Sequence, residues 1–533
     1  MKKLPLGIQS FAKIVEGGYV YADKTRHVYN LINGPSYCFL SRPRRFGKSL
    51  LLDTLAEAFR GSKELFMGLW IYDSDYAFEK HPVIRLDMSN ISTENSEILK
   101  ESIVHNLRQR ITEEGFDING EIPSDLFVSL IKALYRKYDN RVVVLIDEYD
   151  KPMLDHLHDP DMAEANRQVM RGFYGILKSM DPYLRFTMIT GVSKFTKTSI
   201  FSELNNLIDI TMLSKYADIC GINMEDLGPY FGEHIEHLAA LDDLGDYDEI
   251  YARILEWYDG YTWDGKTRVI NPFSLLCFFE HAKFERFWYS SGSPKFLIDL
   301  IKDRPASFLN LKNLKIWEWM LDSFDIRQMK PEPLLFQTGY LTVKEVQKTK
   351  TSPIYVLEMP NHEVREAFNT QVVSALTESG DLDAGQAHME MSYALNVGDL
   401  EKMLGSLRRL FASIPYNLHV DAEAYYHSIF YAVMTVLGFD MDVEVSVSGG
   451  RADAVLELDD RVYVMEFKHQ SCGPQADVEE KRLLFDRTLT EAMEQIKERG
   501  YHKPYIDGGK TLYLAAFAFL GRDAIEMRAE ILK

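Results

Sequence analysis

The sequence predicts an α/β protein of several domains. A mainly parallel sheet occupies the first 215 residues, helical and small α+β appendages follow, and a further α/β region runs from about residue 416 to the end. Three observations carry this. Short apolar runs alternate with helical patterns between residue 37 and about 215, as in a parallel sheet with crossover helices. At 533 residues the chain is too long for one core, on a prior of about 150 residues per domain. The stretch SGGRADAVLELDDRVYVMEFKHQ (448–470) reads as a Gly-Gly turn and two strands joined through Asp459 and Asp460.

Composition narrows the class. A hydrophobic content of 46% is enough to fill several cores, and 80 acidic against 60 basic residues give a net charge of −20. Such a balance favours solubility and excludes a generally basic nucleic-acid coat, so any nucleic-acid contact is local. Cys38, Cys220, Cys277 and Cys472 lie far apart with no C-x-x-C pair, which predicts neither a zinc knuckle nor a disulfide framework. The N-terminus lacks an apolar h-region, and no apolar run reaches roughly 18 residues, so neither export nor a membrane span is expected. The expected location is the cytoplasm.

Taken in order, YCFL (37–40) reads as a buried strand, and Leu50, Leu51, Leu52, Leu55 and Phe59 as a helix ended at Gly61. PVIRLDMS (82–89), RVVVLIDEYD (141–150) and LRFTMITG (184–191) read as three more buried strands. Residues 216–300 read as helices, with Asn223 and Asp226 as an N-cap and its capping-box partner. A small α+β unit is expected over 301–375, built on LLFQTGYLTVKEV and SPIYVLEMPNHEVREAF. Residues 377–386 read as a linker, with helical pattern to about 415. The last region, 416–533, opens on the helix EAYYHSIFYAVMTVLG and continues with two or three strands, a polar insertion at about 471–488, and a final helix and strand.

Chemistry concentrates in two places. RPRRFGKS (42–49) follows a strand and opens a helix, and Gly47, Lys48 and Ser49 match the end of a phosphate-binding loop, G-x-x-x-x-G-K-[ST]. At a helix N-terminus, free N–H groups and the helix dipole attract an anion, and Lys48 neutralises terminal phosphates. Arg42 replaces the first glycine, with Pro43 supplying a pre-set turn. About 100 residues on, VVVLIDEYD ends a buried strand in Asp147 and Glu148, as a Walker-B element does. Ser49 and Asp147 are the expected Mg²⁺ partners, and Glu148 orients the attacking water. Arg45, Phe46, Gly47, Lys48, Ser49 and Asp147 form the candidate nucleotide set. Thr190 and Ser193 are placed for a γ-phosphate contact, or equally for capping a turn.

In the C-terminal region, alternation along an extended strand puts Glu466 and Lys468 on one face and Phe467 on the other. Asp453 meets them across the hairpin. Two carboxylates and a lysine suit phosphodiester hydrolysis: Asp453 and Glu466 as ligands of a hard cation, Lys468 to position the nucleophile or offset developing charge. Glu423 on the preceding helix is a further metal candidate. His427 reads more readily as helix packing than as a ligand, and Gln495 as an orienting group. An E-x-K pair is also a common solvated salt bridge. Residues 416–533 carry 13 Lys/Arg against 21 Asp/Glu, a net −8, against the basic face usual for duplex binding.

SRPRRFGKSLLLDTL, VVVLIDEYDKP, ITGVSKFTKTSIFSELNN, INPFSLL and FQTGYL resemble the AAA-ATPase-like family of bacterial proteins within the P-loop ATPases. GRADAVLEL, EFK and Gln495 resemble the PD-(D/E)xK nuclease superfamily in the form fused to that ATPase. Together the resemblance covers about residues 4–530. It implies a P-loop NTPase sheet over 1–215, a helical lid at 216–300, a winged-helix-like unit at 301–375, a helical linker at 376–415 and a restriction-endonuclease-like domain at 416–533. RPRRFGKS is the family's usual wording, so Arg42 is an expected variant. The resemblance implies ATP at Lys48, Ser49 and Asp147, with Asp453, Glu466 and Lys468 as metal and catalytic positions and Glu423 as the helix-borne acid. The 471–488 insertion is longer than expected.

The leading expectation is a hydrolase in which ATP controls Mg²⁺-dependent cleavage of DNA or RNA, with defence against phage or mobile-element biology implied by architecture alone. The alternative is an ATP-driven regulatory or signalling switch whose nuclease-like domain only binds a partner or nucleic acid. An interaction scaffold with both sites inert ranks last. A homo-oligomer is compatible with each.

Overall fold

The structure is a computed structural model that describes residues 1–194, 204–241, 244–290, 314–321, 330–376, 381–412, 423–436, 439, 441–447, 450–472, 477–506, 508–521 and 524–532. The chain divides into two compact units, one of Met1–Gly292 with Lys312–Val364 and one holding Arg365–Lys533. Among the described residues no helix is long and apolar enough to cross a membrane.

The first unit is built on five parallel strands, β1 (Tyr37–Ser41), β2 (Val83–Asp87), β3 (Val142–Asp147), β4 (Leu184–Gly191) and β5 (Ile208–Asp209), in the spatial order β2-β3-β4-β1-β5. Residues of β1 and β3 are buried throughout, which explains their unbroken apolar runs: a parallel sheet covered on both faces has no solvent side to encode. The helix Lys48–Phe59 leaves the loop after β1. It ends at Gly61, whose N–H bonds the Ala58 carbonyl while Ser62 N–H reaches Glu57, a Schellman closure. Long helices Ser96–Glu113, Pro123–Tyr138 and Pro160–Ser179 connect the strands.

Beyond the sheet, helices Met224–Ala239, Tyr247–Tyr258 and Pro272–His281 enclose their own core around Phe231, Ile254 and Phe278. The Asp226 carboxylate accepts the Asn223 N–H at 3.1 Å, the capping contact expected from the sequence. β6 (Leu314–Trp317), β7 (Thr342–Gln347) and β8 (Ile354–Glu358) form an antiparallel sheet ordered β6-β8-β7, with the helix Pro331–Thr338 preceding β7.

In the second unit, helix Asp381–Val397 begins inside the stretch expected to be linker, and Leu400–Ala412 follows it. β9 (Met441–Val447), β10 (Gly450–Glu457), β11 (Arg461–Gln470), β12 (Thr511–Leu520) and β13 (Ala524–Ile531) make a mixed sheet ordered β13-β12-β11-β10-β9, in which β11 and β12 are parallel. The chain thus ends in two strands where one was expected. The polar insertion also differs from expectation: from Val478 onward it is the exposed first half of a 21-residue helix, Val478–Glu498, whose N-cap Asp477 accepts the Glu480 N–H. Its second half packs on the sheet through Leu489, Ala492, Met493 and Ile496, while in the first half Phe485 alone joins that cluster and most residues are exposed, so the sequence there shows no helical stripe.

Candidate nucleotide and metal sites

β1 runs into the loop and the helix Lys48–Phe59 leaves it. Gly47 caps that helix at φ 91°, a left-handed backbone open to glycine and costly for other residues. The Lys48 ammonium, almost fully buried, donates to the main-chain carbonyls of Arg42 and Pro43, each at 2.9 Å. Burial lowers its pKa, opposed by the charges of Asp147, Glu148 and Asp150.

Arg42 turns away from this centre. Its guanidinium is fully buried, donates to the carbonyls of Ser41, Thr211 and Tyr216 at 2.9, 2.9 and 3.0 Å, and lies 3.8 Å from the Trp263 ring centre. Burial brings its pKa down to about 10. The position where glycine is usual therefore carries a brace between the loop and the segments after β4. The Phe46 ring is likewise inside, edge-on to Tyr261 at 4.7 Å. Arg45 is left-handed at φ 71° with its guanidinium 4.7 Å from the Phe273 ring centre.

At the end of β3, Asp147 is 1% exposed and its Oδ1 accepts the Glu148 N–H at 3.1 Å and the Thr190 hydroxyl at 2.7 Å. Its Oδ2 takes no hydrogen bond from any described group. Glu148 sits at φ 50°, and burial raises its pKa against the pull of Lys48. The Ser193 hydroxyl donates to Asp150 Oδ2 at 2.6 Å. Thr190 and Ser193 are thus bonded to carboxylates, and both are fully buried. The sequence leaves open a γ-phosphate contact or the capping of a turn for these two hydroxyls, and in the structure each is bonded to a carboxylate.

A cavity of about 630 Å³ opens beside the loop. Arg45, Gly47, Lys48, Ser49 and Glu148 line one part, and Val20, Ala22, Ile222, Phe231 and Phe273 another. A lining that combines charged and apolar side chains suits a ligand with phosphates and a flat ring, and the volume is in the range of small-molecule pockets.

In the second unit β10 pairs with β11 as far as Ala454↔Met465, so Asp453 and Glu466 each lie one residue beyond the last pair. Asp453 Oδ2 accepts the Phe467 N–H at 2.8 Å. Glu466 is fully buried, and its Oε1 accepts the Lys468 ammonium at 3.1 Å and the Gln495 amide. Its Oε2 is buried with no hydrogen-bond partner. Burial, then the charge of Asp453, pushes its pKa up to about 7, with Lys468 opposing. Three elements, β10, β11 and the Val478–Glu498 helix, therefore bring Asp453, Glu466, Lys468 and Gln495 together. Phe467 faces the other way, stacked on Phe517 and on the His427 ring at 5.1 and 5.0 Å. Glu423 begins the helix Glu423–Val436, and its side chain lies outside what the structure describes. Among the described residues no group of three or more His, Cys, Asp or Glu forms a metal-ligand set. Oxygen donors and a buried oxygen without a donor nonetheless fit a hard divalent cation at Asp453 and Glu466.

Residues 5–201 match the family described as predicted AAA-ATPase, and residues 421–528 match the PD-(D/E)XK nuclease superfamily. A protein of Azotobacter chroococcum mcd 1, called the uncharacterized protein in the vnfD 5′ region, is 36% identical over 532 residues, covering 97% of this chain and 96% of its own. The chain belongs to the family of predicted AAA-ATPases that carry a C-terminal PD-(D/E)XK nuclease superfamily domain. Among solved structures, the Aeropyrum pernix ORC2 protein, in ADPNP-ADP complexes, aligns at 12% identity and a TM-score of 0.27, over 68% of this chain and 98% of its own, too loosely to support an argument.

Sequence reasoning missed Asp150 and the apolar part of the cavity. Asp150 was visible as the last letter of D-E-Y-D, but an acidic residue in a turn gives no sign that it will be 1% exposed. The cavity wall is gathered from segments about 200 residues apart, which no local pattern reveals.

Proposed function

We propose that the chain binds and hydrolyses ATP in the cavity beside Lys48, and that this nucleotide state controls Mg²⁺-dependent cleavage of nucleic acid at Asp453, Glu466 and Lys468. The observation that carries the reading lies in two buried acids, Asp147 at the end of β3 and Glu466 within β11. Each has one oxygen saturated by donors, and the other oxygen of Glu466 is buried with none. A buried carboxylate oxygen without a donor is costly unless a cation completes it.

In the first site the Lys48 ammonium exchanges the Arg42 and Pro43 carbonyls for the terminal phosphates, while Arg45, Phe46 and Gly47 offer main-chain N–H groups. Ser49 and Asp147 would hold Mg²⁺, which offsets charge on the phosphates. The Glu148 carboxylate orients the attacking water and takes its proton. In the second site Asp453 and Glu466, with Glu423, would hold the divalent ion, which lowers the pKa of water and offsets phosphate charge. Gln495 fixes the Glu466 carboxylate, and the Lys468 ammonium stabilises negative charge as the P–O bond to the leaving oxygen breaks.

The test is purified protein with DNA and with RNA, in Mg²⁺, with and without ATP. Cleavage lost in Asp453→Ala and in Glu466→Ala is expected; full cleavage by Asp453→Ala sinks the nuclease assignment. A second reading, an ATP-driven switch whose C-terminal domain only binds, is favoured by the net −8 of residues 416–533. It requires ATP binding that Lys48→Ala weakens and no metal-dependent cleavage of any nucleic acid.

A further inference from the structure

The D-E-Y-D turn after β3 and the end of β4 are fastened to each other more tightly than parallel pairing requires. The Tyr149 N–H donates to the Thr190 carbonyl at 3.1 Å, and its hydroxyl donates to the Ser193 carbonyl at 3.0 Å. Asp150 Oδ2 accepts three donors: Val192 N–H at 3.0 Å, Ser193 N–H at 2.6 Å and the Ser193 hydroxyl at 2.6 Å. Between them Gly191 has no room for a side chain, since a Cβ there would lie 2.6 Å from both the Asp150 carboxylate and the Tyr149 ring. The Gly191 carbonyl in turn accepts the Arg42 N–H at 3.1 Å, which carries the strip of bonds to the phosphate loop.

Glu148 sits inside this fastening, held by its own N–H to Asp147 and by its carbonyl, which accepts the Lys151 N–H at 3.0 Å. Its φ of 50° is unfavourable for a side chain with a Cβ, and such a conformation persists only where neighbours on both sides fix it. A relaxed turn would carry the carboxylate off the cavity wall that it lines.

We propose that Tyr149 and Asp150 are positioning residues, a clamp that locks the turn to Val192 and Ser193 and so holds Glu148 in its left-handed conformation, carboxylate on the nucleotide cavity. The clamp rests on the reading of this cavity as an ATP-hydrolysing site. Its effect is on the reacting geometry and not on nucleotide affinity, because none of the hydrogen bonds made by Tyr149 and Asp150 to Thr190, Val192 and Ser193 involves Lys48, Ser49 or the N–H groups of Arg45, Phe46 and Gly47.

The experiment measures, on the full chain, the affinity of a fluorescent ATP analogue and, separately, phosphate release from ATP. Asp150→Ala is expected to lower kcat about 100-fold, the order that a misplacement of about 1 Å imposes, with analogue affinity within about threefold of wild type. Asp150→Asn, which keeps an oxygen for the three donors, recovers most of the rate. Ser193→Ala and Tyr149→Phe each remove one hydroxyl and lower kcat several-fold, and they decide the matter if Asp150→Ala does not fold. Unchanged kcat in both single-hydroxyl variants, or losses of affinity that match the losses of rate, overturn the clamp. A wild type that binds the analogue and never releases phosphate overturns the hydrolytic reading together with the clamp; one that hydrolyses normally alongside fully active Ser193→Ala and Tyr149→Phe overturns the clamp alone.

Discussion

The guanidinium of Arg42 lies 3.8 Å from the ring centre of Trp263 while donating to the carbonyls of Thr211 and Tyr216. A residue at the head of a phosphate loop is thus part of the packing between the sheet and the segments that follow it. Restoring the more usual glycine, Arg42→Gly, strands those buried carbonyls without donors. It is expected to destabilise the first unit by about 2–4 kcal/mol, read as a lower urea midpoint, and to leave ATP affinity no better than wild type. Tighter ATP binding by Arg42→Gly contradicts the brace.

Lys48 is poised rather than free, with its ammonium against two main-chain carbonyls. Losing a charge-assisted contact of about 1.5–3 kcal/mol, Lys48→Ala weakens ATP binding by roughly 10- to 100-fold in a titration with a fluorescent analogue. Equal affinity in the two proteins removes Lys48 from the nucleotide site.

Glu466 gives a pH dependence whose sign follows from its surroundings. Burial and the charge of Asp453 push its pKa up to about 7, above the ordinary 4.5, with Lys468 opposing. The folded state therefore favours the protonated acid. Stability from this group is fully present below pH 4.5 and is lost as pH rises through 7, by roughly 3 kcal/mol in all. In EDTA, urea unfolding of the second unit should show this decline between pH 5 and 8, and Glu466→Gln should flatten it and exceed wild type at pH 8. A flat wild-type profile refutes the assignment. Added Mg²⁺ should stabilise more at pH 8 than at pH 6, because the ion binds the carboxylate and not the acid.

Gln495 holds Glu466 Oε1 from the helix side, with its amide also 3.4 Å from the Tyr501 hydroxyl. Groups that orient a ligand of a metal commonly contribute 10- to 100-fold, and Gln495→Ala should slow nucleic-acid cleavage by about that factor with an unchanged far-ultraviolet circular dichroism spectrum. Full cleavage by the variant shows that Glu466 needs no such support.

How much of this was legible depended on whether the determinant was local. Buried parallel strands announce themselves as unbroken apolar runs such as VVVLID, and the hairpin around Asp459 and Asp460 fixes by alternation alone that Glu466 and Lys468 share a face opposite Phe467. The first half of the helix Val478–Glu498 reads as a polar insertion because most of its residues are exposed and little beyond Phe485 reaches the sheet, which leaves too short an apolar stripe to show helical periodicity.

By itself, then, the sequence determined the strand-loop-helix around Lys48, the acidic strand end at Asp147 and the D…E-x-K hairpin, because each is set by neighbours within a few residues. Only the tertiary structure decided that Arg42 turns inward to Trp263, that Thr190 and Ser193 bond to Asp147 and Asp150, and that one oxygen of Glu466 is buried without a donor. Those outcomes depend on which polar groups are desolvated together and which partners lie within hydrogen-bond reach, and residues distant along the chain supply both.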